Sequence, residues 1–138
     1  ERETLIKIAD LVLDKNIGEA LVELDAVLGS GKSPLVFSND LISYFRDLLL
    51  VYTLKGNSRK IIVVKHDVFE KMKTQATSEH YAEMIKAIEV LSEIEQELRY
   101  SVQPRIVLET ALVKIVSDSS LIRRVEKLEE QIKNFPRT

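Results

Sequence analysis

Residues 97–116, ELRYSVQPRIVLETALVKIV, constrain the fold more than any other part of the chain, because they join the end of one helical run to a second helix of high apolarity. Leu98, Arg99 and Tyr100 close the first run, and Pro104 falls where a first helical turn tolerates a residue without an N–H. Beyond it, Ile106, Val107, Leu108, Ala111, Leu112, Val113, Ile115 and Val116 are spread around most of the helix circumference. That distribution predicts a buried central helix near 104–117, enclosed by other helices, rather than an amphipathic one lying on a surface.

The remainder reads as helix after helix. Leu5, Ile8, Ala9 and Val12 open the chain at helical spacing. Asn16 followed by Glu19 has capping-box spacing and starts a helix with Ala20, Leu21, Leu24, Val27 and Leu28 on its apolar face, stopping at Gly29. Ser33 and Pro34 read as N-cap and first turn of a helix to about Leu54, whose inner stripe is Leu41, Tyr44, Phe45, Leu48, Leu49 and Tyr52. KGNSRK, residues 55–60, interrupts it. The β-branched run 61–64, IIVV, favours a strand by composition, but a lone strand among helices has nothing to pair with, so it is read as the start of a short helix. Asp67 is placed as the cap of a helix through about Lys73.

Ser78 begins the longest periodic run, carried by Tyr81, Met84, Ile85, Ile88, Leu91, Ile94 and Leu98. Leu121, Val125, Leu128 and Ile132 share one face of a final helix over 120–135 that Pro136 ends, although two heptads are too few to establish a coiled coil. The expectation is an all-α fold, a compact bundle of about five to seven helices forming a single domain over 1–138.

Composition supports a packed core and excludes several function classes. A chain of 138 residues is one domain by size and can remove about two-thirds of its unfolded surface from water. Charged residues make up 30% of it, yet the net charge is only -2, so its summed field offers no general attraction to nucleic acid or to an anionic membrane. The absence of cysteine rules out disulfides and thiolate chemistry and fits a reducing cytosol. No segment approaches the run of about 18 apolar residues that spans a bilayer, and the opening ERETLIKIADL has no signal-peptide layout; a soluble, cytoplasmic chain is expected. With no initiator Met, it is expected to be a piece of a longer chain.

Three constellations invite an enzymatic reading. AVLGSGKS, residues 26–33, matches a relaxed phosphate-loop pattern in which Lys32 would reach phosphate oxygens and Ser33 would hold Mg²⁺. A phosphate loop must leave a buried strand, whereas Ala26, Val27 and Leu28 are the tail of an amphipathic helix, so a helix C-cap, loop and N-cap is the preferred reading. His66-Asp67 and Glu79-His80 supply proper metal ligands but fall short of the three or four a site requires. No Ser-His-Asp arrangement can be argued, since neither histidine has a partner of the right type at helical spacing. No catalytic, cofactor-binding or metal-binding residue is assigned.

Charge placement is more informative. Glu79, Glu83, Glu89, Glu93, Glu95 and Glu97 outnumber Lys86 and Arg99 on the long helix, which reads first as a solvated face and second as a groove for a basic neighbour. Arg46, Arg99, Arg105 and Glu109 interrupt or border apolar runs, and a guanidinium near a core is kept only where a planar acceptor satisfies it. Arg105 and Glu109, four apart, can pair across a turn. With Pro104 they are the candidates for a polar clamp at the helix junction or for a subunit contact.

The same residues carry a family resemblance. Arg99-Tyr100, Pro104-Arg105, Leu108-Glu109 and the run 111–115, ALVKI, resemble the third domain of the bacterial DNA polymerase III gamma/tau subunit. Upstream, Glu19-Ala20-Leu21, the turn 29–32 and the segment 41–50, LISYFRDLLL, are similar to that family's preceding helices, so the likeness covers most of the chain. IIVVKHD is more β-branched than the family pattern, and the last helix is of a kind that varies there.

The resemblance implies a collar domain. In that family it follows an AAA-type ATPase module and a small lid domain. It assembles with other gamma/tau copies and with the delta and delta-prime subunits into a collar, from which the ATPase modules load the sliding clamp onto primed DNA. ATP and Mg²⁺ would belong to the missing ATPase module, leaving no cofactor, no enzymatic activity and no direct nucleic-acid or membrane contact to this piece. A free-standing helical scaffold or adaptor is the alternative from another class, and a small phosphate-loop protein is the third. A glycine-rich phosphate loop and a cysteine zinc cluster encoded upstream would favour the collar domain over both.

Overall fold

A computed structural model describes residues 2–117 and 119–136. Its described residues form eight α-helices and two 3-10 helices and no strand. The first, α1 (Arg2–Leu13), buries Ile8, Ala9, Val12 and Leu13. It ends where Lys15 takes a positive φ of 62° and the Asn16 amide donates to the Leu11 carbonyl at 2.7 Å. Asn16 then accepts from the Glu19 amide at 3.4 Å as the N-cap of α2 (Ile17–Gly29), satisfying one of the donors that open a helix.

Ser33 caps α3 (Pro34–Leu54) in the same way, accepting from the Val36 amide, with the proline in the first turn. Buried along α3 are Phe37, Ser38, Leu41, Tyr44, Phe45, Leu48 and Val51. It packs against α1 and against every later helix except the last, so the core is built around α3 as much as around the apolar helix expected at 104–117.

The segment after α3 departs from expectation. A 3-10 helix (Lys55–Lys60) follows, turned by Lys55 at φ 52° and held by the Ser58 hydroxyl donating to the Lys55 carbonyl. Residues 61–64 are neither strand nor the start of a helix: Ile62 is buried, Val63 is exposed, and the Val64 carbonyl accepts from Arg59 at 3.1 Å. This β-branched link anchors one side chain and leaves the next outside. Helix α4 (His66–Gln75) begins one residue before Asp67, which lies inside its first turn, and runs two residues past Lys73.

The long periodic run is likewise divided, into a 3-10 turn (Ser78–His80), α5 (Tyr81–Glu93) and α6 (Glu95–Tyr100). The break falls at Ile94, with φ -88° and ψ 0°. Leu91, Ile94 and Leu98 are all buried, so the apolar register continues across a break that spacing cannot reveal. This division raises the helix number to eight, above the five to seven expected.

Helix α7 (Pro104–Val116) packs against α1, α2, α3, α5 and α6 and buries Leu108, Ala111, Leu112 and Ile115. Its coverage is one stripe rather than most of the circumference, since Ile106 and Val113 are exposed. Among the described residues, the last helix, α8 (Ser119–Lys133), shares no extensive contact with the bundle. Leu121, named for its apolar face, lies outside the described side chains; Val125, Leu128 and Ile132 are exposed.

Candidate functional site

The turn between α6 and α7 gathers most of the residues singled out in the sequence. Arg99, in the last turn of α6, reaches back to Glu95 at 3.2 Å, one helical step away. Pro104 opens α7, with Gln103 at its N-cap position and no side chain capping the helix. Arg105 pairs through Nη2 with Asp25 Oδ1 on α2, and its Nε lies 3.7 Å from Glu109 Oε2. Arg105 thus ties the start of α7 to α2, which packs alongside it. Arg46 is not part of this group: it lies in the middle of α3, and its neighbour is Asp47 at 3.5 Å.

Each of these guanidinium groups has a carboxylate neighbour, and none is enclosed by the core; each retains a wide solvent contact. Leu48 beside Arg46, Leu98 beside Arg99 and Leu108 after Arg105 are buried, while the arginine head groups are not. The long side chain leaves the head group in water, which is the ordinary behaviour of arginine at a packed surface.

Between Arg99 and Arg105 the chain leaves large apolar side chains in water. Tyr100 is 76% exposed and Val102 96%, with Ile106 also exposed in the next turn. Scattered single apolar residues are ordinary on a surface, but these fall within one short junction bordered by paired arginines. An apolar centre with an arginine rim is the composition of a protein–protein contact.

The tightest polar arrangement lies elsewhere, and sequence reasoning missed it. Gln75, 1% exposed, accepts from the Tyr44 hydroxyl at Oε1 and donates through Nε2 to the Ile6 carbonyl at 3.0 Å and to Asp10 Oδ1 at 2.6 Å. Its own backbone carbonyl receives the His80 Nδ1–H at 2.8 Å, and Asp10 also pairs with Lys71 at 2.8 Å. One glutamine therefore links α1, α3, α4 and the start of α5. Burial holds the Tyr44 hydroxyl well above its ordinary pKa, with the Asp10 charge adding to the effect, so it stays a donor. The signal available in the sequence was Gln75 three residues after Met72, on the inward stripe of a helix that was ended too early.

The phosphate-loop-like segment is a helix junction. The Ser30 amide bonds back to the Ala26 carbonyl and the Gly31 amide to Leu28, which uses loop donors that a phosphate would need. Gly31 turns the chain at φ 104°, Ser33 caps α3, and Lys32 pairs with Asp40 at 3.0 Å. Among the described residues no group of three or more His, Cys, Asp or Glu side chains is placed to hold a metal ion. Likewise, no described helix is long and apolar enough to cross a membrane.

On the acidic run, Glu79, Glu89, Glu93 and Glu97 are exposed. Glu83 pairs with Lys15 at 3.7 Å, and Lys86 donates to the Ser117 carbonyl at the end of α7.

Comparison with known proteins gives a consistent result. The model of the family described as DNA polymerase III subunits gamma and tau domain III matches residues 1–131. The DNA polymerase III subunit tau of Bacillus subtilis is 32% identical over 144 aligned residues, covering 96% of this chain and 25% of the relative. The gamma/tau subunit of Mycobacterium tuberculosis is 26% identical, over 93% of this chain and 25% of its own length. The chain thus spans about a quarter of the length of the curated relatives it matches. No solved structure matches it.

Proposed function

Because the chain belongs to the family of domain III of the DNA polymerase III subunits gamma and tau, we propose that it is the assembly domain of a clamp-loader subunit, holding AAA-type ATPase modules in a collar for loading the sliding clamp during DNA replication. Its partners are other gamma/tau copies and the delta and delta-prime subunits, and its setting is the cytoplasm. On this reading the domain contributes a tether and contact surfaces, while nucleotide, Mg²⁺ and hydrolysis belong to a module outside the present sequence.

The observation that carries the proposal, beyond family membership, is the bare apolar junction of Tyr100, Val102 and Ile106 with Arg99 and Arg105 at its border. Both arginines already have carboxylate partners within the domain, so they enter a contact pre-oriented. A partner burying this junction would cover apolar area without leaving a guanidinium unpaired, which is the costly outcome in an interface.

Affinity capture with the corresponding delta and delta-prime domains tests this. The expected result is a stable complex with the folded chain. Failure of the folded chain to bind either domain, alone or together, overturns the assembly reading.

A further inference from the structure

Helix α8 is the most amphipathic helix of the fold, and the described side chains of its apolar face are all exposed. Val125 is 45% exposed, Leu128 57%, Ile132 75% and Phe135, just beyond the helix, 75%. Leu128, Gln131, Ile132 and Phe135 line a shallow depression along it.

The spacing of these residues fixes a register. Val125 and Ile132 are seven apart and Leu128 follows Val125 by three, so the first two occupy the a positions of a heptad and Leu128 the d position between them. β-Branched residues at a with leucine at d favour two parallel strands over higher oligomers. Arg124 then falls at g and Glu129 at the following e. In a parallel pair the g position of one helix faces the following e position of the other, so Arg124 meets the second copy's glutamate and Glu129 its arginine. An antiparallel pair would oppose g to g and e to e, setting Arg124 against Gln131 and losing the match.

We propose that α8 pairs in parallel with α8 of a second copy of this chain, through Val125, Leu128 and Ile132 and two symmetric Arg124–Glu129 ion pairs. The pairing is short, and two heptads give a marginal coiled coil, so it is weak between free chains and gains strength where an assembly raises the local concentration. It names one surface for the contact between copies that the assembly role proposed above includes: capture of delta-type domains tests that role, and the response of self-association to α8 substitutions tests this surface.

Sedimentation equilibrium of the chain from about 10 µM to about 1 mM reads the pairing directly. A reversible dimer is expected, with Leu128→Glu abolishing it and leaving the melting temperature unchanged because that residue is exposed. Arg124→Glu and Glu129→Arg should each weaken it, by roughly three- to tenfold, and an equimolar mixture of the two should restore it as a heterodimer.

A chain monomeric over the whole range overturns the proposal, including the case in which α8 folds onto its own bundle or binds only a different protein. Dimers that survive Leu128→Glu place the contact on another surface. Charge variants that the mixture does not rescue rule out the parallel register.

Discussion

Gln75 shows how much a single buried amide can hold. Its carboxamide joins Tyr44, Ile6 and Asp10, so removing one member strands polar atoms in the core rather than merely deleting a bond. Tyr44→Phe should cost about 1 to 3 kcal/mol, and the double variant with Gln75→Ala should be less destabilised than the sum of the two singles by about 0.5 to 3 kcal/mol, measured by urea unfolding. Additive losses would mean the two side chains act separately. Asp47 is the opposite case. Burial raises its carboxyl pKa above 3.8, offset in part by Arg46, so its ionised form opposes folding. A carboxyl whose folded pKa exceeds its unfolded one binds more protons when native, so its stabilising contribution is present in acid and lost as pH rises through the folded value. Asp47→Asn should therefore leave stability at pH 7 equal or higher and reduce the gain on acidification near pH 4. Unfolding midpoints at the two pH values decide it, and a clear loss at pH 7 would assign Asp47 a net stabilising charge.

At the scale of the elements, the buried stripe of α7 predicts the largest single-residue effects. Leu108 and Leu112 are fully buried between α7 and its neighbours, so truncation of either to alanine should cost about 2 to 5 kcal/mol, and thermal melts that barely move would make the helix peripheral. The helix–loop–helix setting of AVLGSGKS predicts a negative result of equal weight. Calorimetry should detect no Mg²⁺-dependent nucleotide binding, and a micromolar site abolished by Lys32→Ala would contradict that assignment. Elements with strong punctuation were legible in the sequence: Asn16, Gly29, Ser33 and Pro104 mark helix ends that the structure keeps within a residue. Elements divided by backbone geometry alone were not. Ile94 interrupts a helix while its side chain keeps the apolar register, and IIVV forms a link without regular structure in which Ile62 docks in the core, a tertiary contact no local pattern encodes. The junction candidates were found because Pro104, Arg99 and Arg105 are conspicuous in an apolar stretch. Gln75 was missed because its helix was ended at Lys73.

For the whole molecule the question is which surfaces meet which neighbours. A collar of several different subunits gives most copies a different neighbour on each side, so its main contacts are heterologous and an isolated copy has lost the partners that close the ring. On the proposed reading, this chain alone should be monomeric or weakly self-associating at micromolar concentration, with stable complexes appearing only when delta-type domains are supplied. The weak α8 pairing is compatible with that state, because it uses side chains of α8 rather than those of the junction at 100–106. The two surfaces can then be separated by substitution. Val102→Asp places a charge on a residue that is 96% exposed, so it should leave the melting temperature within about 1 °C while reducing capture of delta-type domains at least about tenfold, the scale expected for a charge in an apolar contact. Leu128→Glu should do the reverse, removing self-association and sparing capture. Light scattering and affinity capture on the same two variants supply both readings. If Val102→Asp binds delta-type domains as well as the unchanged chain does, the junction is not the assembly surface. A tight closed homodimer that blocks capture would count against the collar role altogether and favour a free-standing scaffold.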